Sequence, residues 1–422
     1  MMQDSLEYNV HMKESLACGN QTQYSGYIDL LSARDSTILW LNGGPGCSSM
    51  MGAWAGIGPC RITDNGNDVF PNPHTWNENA NILFLDQPIG TGFSYGNSRH
   101  TNSFAAAKQI YMFLQTFFDA MPDYVPTSLT IAGESYAGKY LPALSDEIIM
   151  QNGLVNGKQQ HGIYLPLKFI IIGNGWTEPK TQLANYYTFG CENEERGDEF
   201  WPIFDSMTCE RMRSSSPWCQ SLMERCYNHD SYWTCIPAGL YCLHTQINPY
   251  DATGRSPMDI RKQCVDDDYC YPIEHGLEVY ANRVRVSLGV DEKVSPFENC
   301  RSSVERRFYI GLDQTRDYSP SITRALHQNI NVLLYAGDMD WICNWRGNKA
   351  WARELQWKGK QGFNMALDKD VYTDGSEKPT GQFRSFGKLT FLRVFDAGHM
   401  ASLDQPLMCK NFIIDQWLNG FI

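Results

Sequence analysis

The chain has 422 residues, 42% of them hydrophobic, which is ample for a large buried core in one α/β unit or in two or three domains. A formal net charge of -12 argues against a nucleic-acid-binding surface, which needs clustered Lys and Arg. The apolar runs are too short for a membrane span.

Met1 to Asn20 lack the apolar stretch of a secretory signal, so the chain reads as processed or truncated, or as a gene model without its first exon. One glycosylation sequon, Asn20-Gln21-Thr22, agrees with a secretory route. Further on, six short apolar runs end in small or polar residues, as buried parallel strands do: 38–42, 82–86, 129–133, 169–173, 332–337 and 391–395. The first leads into Leu41-Asn-Gly-Gly-Pro-Gly-Cys-Ser-Ser49, whose small residues let backbone N–H groups face a tetrahedral oxyanion. As a phosphate loop that stretch lacks the closing Gly-Lys-Ser/Thr, and as a bare hairpin turn it would carry no chemistry. Residues 103–121 place Ile110, Phe113, Leu114, Phe117, Phe118 and Met121 at helical spacing, a stripe that covers one face of a sheet.

Leu129-Thr-Ile-Ala-Gly-Glu-Ser-Tyr-Ala-Gly-Lys-Tyr140 reads as a strand, a sharp turn and a helix start, with Ser135 at the turn. Gly133, Ala137 and Gly138 supply the small side chains a nucleophile elbow needs. The general pattern ends in glycine where this chain has Ala137, so an ordinary turn serine is the competing reading. With an elbow there, the oxyanion donors would be the amides of Gly44 and Tyr136.

From 177 to 309 the strand–helix alternation breaks into a stretch rich in Cys, Trp and Tyr. It reads as a mainly helical, disulfide-stapled insertion between two parts of one α/β core, 1–176 and 310–422. Nine of the fourteen cysteines fall between Cys191 and Cys300, in spacings such as Cys219-x6-Cys226-x8-Cys235-x6-Cys242. No C-x2-C pair occurs, so disulfides in an oxidising compartment explain them better than zinc. Beyond the insertion, an α/β hydrolase needs an acid and then a histidine, each after a later strand. Of nine histidines, His399 in Arg393-Val-Phe-Asp-Ala-Gly-His-Met400 follows a strong late strand. Run 332–337 leads into Asp338-Met-Asp340, and spacing does not choose between those carboxylates. A last helix is expected over 411–418.

Trp40-Leu-Asn-Gly-Gly-Pro-Gly-Cys-Ser48, Asp86-Gln-Pro-Ile-Gly-Thr-Gly-Phe-Ser-Tyr95, Gly133-Glu-Ser-Tyr-Ala-Gly138, Gly173-Asn-Gly175 and Gly398-His-Met400 occur in that order. Together they resemble the serine carboxypeptidases, in their fungal vacuolar branch, from about residue 20 to the end. The resemblance implies an α/β-hydrolase fold and a triad of Ser135, Asp340 and His399. It implies removal of C-terminal residues from peptides and proteins through an acyl-enzyme, with no cofactor and no metal. The substrate carboxylate would be gripped by Asn42, the Gly43 amide and Glu134, supported by Trp40. Two carboxyl groups share a hydrogen bond only if one is protonated, so binding would favour acidic pH, and burial should raise the Glu134 pKa. Pocket walls would include Trp176, Tyr187 and Cys343 on the acyl side and Met51 and Met400 on the leaving-group side, which suits large apolar residues.

Implied disulfides are Cys47–Cys300, Cys191–Cys209, Cys219–Cys242, Cys226–Cys235 and Cys264–Cys270. Cys343 would be a free thiol near the substrate. Cys18, Cys60 and Cys409 have no counterparts, leaving room for one more bridge among them and a free third. A vacuolar, lysosome-like or secreted monomer is implied, with a proteinaceous inhibitor as a candidate partner. Three departures stand out. Gly56 occupies the place of a second glutamate, which would weaken the carboxylate network. Leu31-Ser-Ala-Arg-Asp-Ser-Thr37 replaces about fifteen more residues and a strand, which would leave an unpaired sheet edge. Ala401-Ser402 stands where relatives often end in proline, a change expected to be minor. Competing readings are an acyltransferase or esterase on the same scaffold, and an inactive paralogue.

Overall fold

The computed structural model describes residues 36–78, 80–97, 100–192, 201–264, 270–373 and 375–420, and the backbone of 13–18, 21–25 and 28–29. The sequon asparagine Asn20, the side chain of Cys18 and the short connection 30–35 lie outside those residues.

The six expected strands are present within a residue or two of their anticipated limits, inside one eleven-stranded sheet. Its strands are β1 (Lys13–Cys18), β2 (Gln21–Ser25), β3 (Ile28–Asp29), β4 (Ser36–Leu41), β5 (Asn81–Phe84), β6 (Ser128–Glu134), β7 (Leu167–Gly173), β8 (Asn331–Gly337), β9 (Lys369–Val371), β10 (Gly381–Phe386) and β11 (Leu389–Val394). They lie in the order β1-β2-β3-β5-β4-β6-β7-β8-β11-β10-β9. The block β5-β4-β6-β7-β8-β11 is parallel, and antiparallel strands extend it at both ends.

Parallel strands need cover on both faces, and side chains that alternate along each strand divide between two cores. Leu39 and Leu41 of β4 join Ile131, Ile170, Ile172, Val332 and Leu334 in one. Ile38 and Trp40 join Ala132, Ile171, Leu333 and Tyr335 in the other. The first is closed by α1 (Ser103–Ala120) and α2 (Ala137–Asn156); Ile110, Leu114, Phe117 and Phe118 of α1 form the expected stripe. Asn102 caps α1 by accepting from the Ala105 amide at 2.9 Å. The second is closed partly by the C-terminal helix, which runs Lys410–Trp417 as a π-helix and buries Phe412, Ile413, Ile414 and Trp417.

The expected unpaired edge is corrected by the structure. β3 pairs antiparallel with β5 through Ile28↔Leu83 and Asp29↔Ile82, and β2 and β1 continue outward. Protection of β5 is nevertheless only two residues long.

Between β7 and β8 the chain builds α3 (Pro179–Cys191), α4 (Ser206–His229), α5 (Tyr232–Cys242) and α6 (Pro272–Val284). Cys191–Cys209 ties α3 to α4, and Cys219–Cys242 with Cys226–Cys235 clamps α4 to α5. Cys264–Cys270 closes a short loop before α6, and Cys47–Cys300 anchors the glycine-rich loop. These pairings coincide with the five the resemblance implies. Cys60 is also disulfide-bonded, to a partner outside the described side chains, whereas Cys343 and Cys409 are free and buried. Among the described residues no helix is long and apolar enough to cross a membrane.

Candidate active site

β6 ends at Glu134 and α2 begins at Ala137, so two residues make the whole turn. Ser135 sits there with φ of 65°, a left-handed conformation that costs a non-glycine residue roughly 1–2 kcal/mol. The turn closes only because its neighbours are small. A Cβ on Gly133 would lie 2.1 Å from the Leu41 carbonyl oxygen, and one on Gly138 2.7 Å from the Trp176 amide nitrogen. Strand, strained serine and helix start make this a nucleophile elbow in geometry, not an ordinary turn.

The glycine-rich loop after β4 lies directly against it: a Cβ on Gly43 would meet the Tyr136 amide nitrogen at 2.3 Å. Gly44 has φ of 105° and Gly46 φ of 94°, conformations that favour glycine. Asp86 holds the far side of this loop. One of its oxygens accepts from the Ser48 hydroxyl at 2.5 Å and the Ser49 amide at 2.9 Å, the other from the Phe93 amide at 2.9 Å. Ser49 in turn accepts from the Asn42 amide at 3.0 Å. Burial raises Asp86 to about 6 against the donors that favour its charge. The folded form therefore binds a proton that the unfolded chain releases near pH 3.8. Its contribution to stability is full below that pH and is lost as pH rises through about 6.

The two candidate acids separate cleanly. Asp338 Oδ1 accepts from the Asp396 amide at 2.8 Å, and its Oδ2 faces Arg393 at 3.5 Å. Asp340 Oδ2 meets His399 Nδ1 at 2.8 Å and also accepts from Asn174 Nδ2 at 2.8 Å. All three side chains are buried. With Nδ1 committed to Asp340, Nε2 is the ring atom left to act as a base. The Ser135 hydroxyl makes no hydrogen bond among the described residues. Burial alone would lower the His399 pKa, but the charge of Asp340, its hydrogen bond and the nearby Glu134 outweigh it and raise it.

Asp340, Cys343 and His399 each bring a ligand atom within 4.8 Å of the others, a grouping a metal ion could use. Its imidazole and carboxylate already pair with each other, and burial holds the Cys343 thiol well above its ordinary value. The chemistry of the trio is that of a paired base beside a neutral thiol.

Below the elbow lies the proposed carboxylate network. Trp40 Nε1 donates to Asn42 Oδ1 at 2.7 Å, and the Gly52 amide donates to the same oxygen at 3.1 Å. Glu134 is buried and accepts from Tyr335 at 2.8 Å and Ser402 at 3.1 Å. Burial raises its pKa against those donors and the charge of His399. Of the expected pocket residues, Met51 and Met400 belong to the core on the Trp40 side of the sheet. Trp176 and Tyr187 pack against the other core, with Trp176 Nε1 donating to the Gln314 carbonyl at 3.0 Å and Tyr187 to Glu192 at 2.5 Å.

Sequence reading gave no role to four residues that shape this site. Asn174 holds Asp340; its place in the Gly173-Asn-Gly175 motif was the available signal. Tyr335 lies within a buried strand and carried none. Ser402, expected to be a minor change, touches Glu134. Asp313 is fully buried and accepts from the Tyr136 hydroxyl at 2.7 Å, from Tyr318, and from the Ser103 hydroxyl and amide at 2.6 and 3.1 Å. It thereby ties the elbow to the start of α1. Tyr136→Phe removes one of those donors and is expected to lower stability by about 1–3 kcal/mol, read from the denaturant midpoint.

The chain matches a family profile described as serine carboxypeptidase over residues 22–420. Carboxypeptidase Y homolog A of Sclerotinia sclerotiorum is 38% identical, over 98% of this chain and 77% of that protein. Carboxypeptidase Y of Saccharomyces cerevisiae is 38% identical, over 95% and 76%. Among solved structures, that of a prohormone-processing carboxypeptidase from Saccharomyces cerevisiae superposes with a TM-score of 0.75 at 27% identity, covering 92% of this chain and 83% of that one.

Proposed function

The chain belongs to the serine carboxypeptidase family and has its α/β-hydrolase fold, and from that premise we propose how it removes the C-terminal residue of a peptide. His399 Nε2 takes the proton of Ser135, whose oxygen attacks the last peptide carbonyl. The Gly44 and Tyr136 amides stabilise the oxyanion, and Asp340 holds the imidazolium that forms. His399 then passes its proton to the leaving amino group, and water attacks the acyl-enzyme by the same route. Asn42, the Gly43 amide and Glu134 receive the substrate's terminal carboxylate. Peptide and protein C-termini are the substrates, with large apolar residues favoured by Met51, Met400, Trp176 and Tyr187. The disulfides fit an oxidising vacuolar or extracellular setting.

The observations that carry this reading are the 2.8 Å pairing of His399 Nδ1 with Asp340 and the left-handed Ser135 at the elbow. The test compares N-blocked dipeptides with their C-terminal amides across pH. His399 must be neutral, so activity rises as pH passes upward through its raised pKa. Glu134 must be protonated to bind a carboxylate, so activity on free acids falls again as pH passes its own raised pKa. Free acids should give a bell-shaped kcat/KM profile and amides only its rising limb. Equal profiles for both substrates would favour an esterase or acyltransferase instead.

A further inference from the structure

Glu134 Oε1 receives two hydroxyl donors from distant parts of the chain. Tyr335, within β8, donates at 2.8 Å. Ser402, in the short helix Ala401–Asp404 just after His399, donates at 3.1 Å. All three side chains are buried, with 4% of Glu134, none of Tyr335 and 3% of Ser402 exposed. Glu134 Oε2 makes no hydrogen bond among the described residues.

We propose that Ser402, together with Tyr335, is a positioning residue for the terminal-carboxylate site: the two hydroxyls occupy Oε1 and reserve Oε2 for the proton that Glu134 shares with the substrate's carboxylate. An oxygen that accepts two O–H donors cannot itself carry the acid proton, so the protonated form has one arrangement instead of two. The proton on Oε2 is then donated to a carboxylate oxygen of the substrate, with no bond made or broken.

Local packing holds both donors in place. A Cβ on Gly173 would lie 2.1 Å from Tyr335 Cζ, so the phenol fits only against a bare backbone. A Cβ on Gly56 would lie 3.3 Å from Ser402 Oγ, so any side chain at position 56 would crowd the serine. Arg61 Nη2 bridges the same two residues, donating to the Gly56 carbonyl at 3.0 Å and the Ser402 carbonyl at 3.2 Å. Gly56 and Ser402 are therefore one structural unit, and the serine supplies a donor where the glycine leaves space.

The proposal rests on Glu134 being the substrate-carboxylate group. The groups facing that acid are Tyr335, His399, Ser402, Asp404 and the buried Cys409 thiol, whose own pKa burial and Glu134 raise, with Arg61 beyond Cys409. Hydroxyl donors favour the ionised carboxylate, so deleting one keeps Glu134 protonated to higher pH.

The test measures kcat and KM for an N-blocked dipeptide and its C-terminal amide from pH 4 to 9. In Ser402→Ala, the pH at which KM for the free acid begins to rise is expected to move up by about one unit. The kcat and KM on the amide measure any general damage to the site, and the free-acid shift is read against them. Tyr335→Phe should give the same upward shift independently, and Ser402→Thr, which keeps the hydroxyl, should restore the original profile. An unmoved free-acid limb in Tyr335→Phe and in folded Ser402→Ala overturns the proposal, as does a loss affecting acid and amide equally. If the unaltered enzyme does not distinguish acid from amide at any pH, the carboxylate role of Glu134 fails first.

Discussion

Ser135→Ala is expected to lower kcat on the order of 10⁵- to 10⁶-fold while leaving the protein folded and unlabelled by a fluorophosphonate probe. The size follows from the chemistry: without the hydroxyl no acyl-enzyme forms, and His399 and the oxyanion amides can only assist water. Ser135→Gly should be equally inactive yet more stable. Its φ of 65° is strained for serine and free for glycine, so relief of about 1 kcal/mol should raise the thermal midpoint by about 1–2 °C. A rise in stability with total loss of activity separates an elbow held under strain for catalysis from a serine that is merely exposed in a turn. Unchanged activity in either variant, or probe labelling of the alanine variant, would falsify the assignment of Ser135.

Gly43→Ala should also be strongly damaging, although glycine itself brings no side chain to the reaction. The added methyl would sit 2.3 Å from the Tyr136 amide nitrogen, 2.8 Å from the Glu134 carbonyl oxygen and 2.8 Å from Ser135 Cβ. None of these is the far end of a flexible side chain, so either the loop or the elbow must move. Each carries one of the proposed oxyanion donors, and displacing one donor costs roughly 10²- to 10³-fold in kcat. The expected result is a kcat loss of at least about 10³-fold, with overpacking lowering stability by about 1–3 kcal/mol. An ester substrate without a free carboxylate should show the same loss, because the oxyanion is common to both. A loss confined to KM for free acids would instead place Gly43 in carboxylate binding alone.

Much of the architecture was legible because its signals are local. Runs such as 169–173 and 332–337 are apolar on every residue, which a strand covered on both faces permits and a half-exposed strand does not. The elbow was visible as glycines flanking a serine between a strand and a helix, since a two-residue reversal excludes larger neighbours. The loop at 42–49 was visible for a similar reason, and Gly44 and Gly46 do adopt positive φ. The expected open edge beside β5 was wrong because two residues, Ile28 and Asp29, suffice to begin strand pairing, too short a run to stand out by pattern.

The residues by themselves determined the strand set, the sharp turn at Ser135 and the glycine loop, while the free state of Cys343 came from the family resemblance. Spacing left Asp338 and Asp340 open and the family resemblance named Asp340; the tertiary structure supplies the reason, since residues two apart on one connection have the same composition signal and differ only in direction, Asp340 meeting His399 while Asp338 turns to Arg393. It also decided that Ser402 and Tyr335 share one oxygen of Glu134, across separations of 268 and 201 residues. Backbone preferences are written in neighbouring residues, but a hydrogen bond to a buried carboxylate is chosen by whichever donors the folded sheet brings within about 3 Å of it.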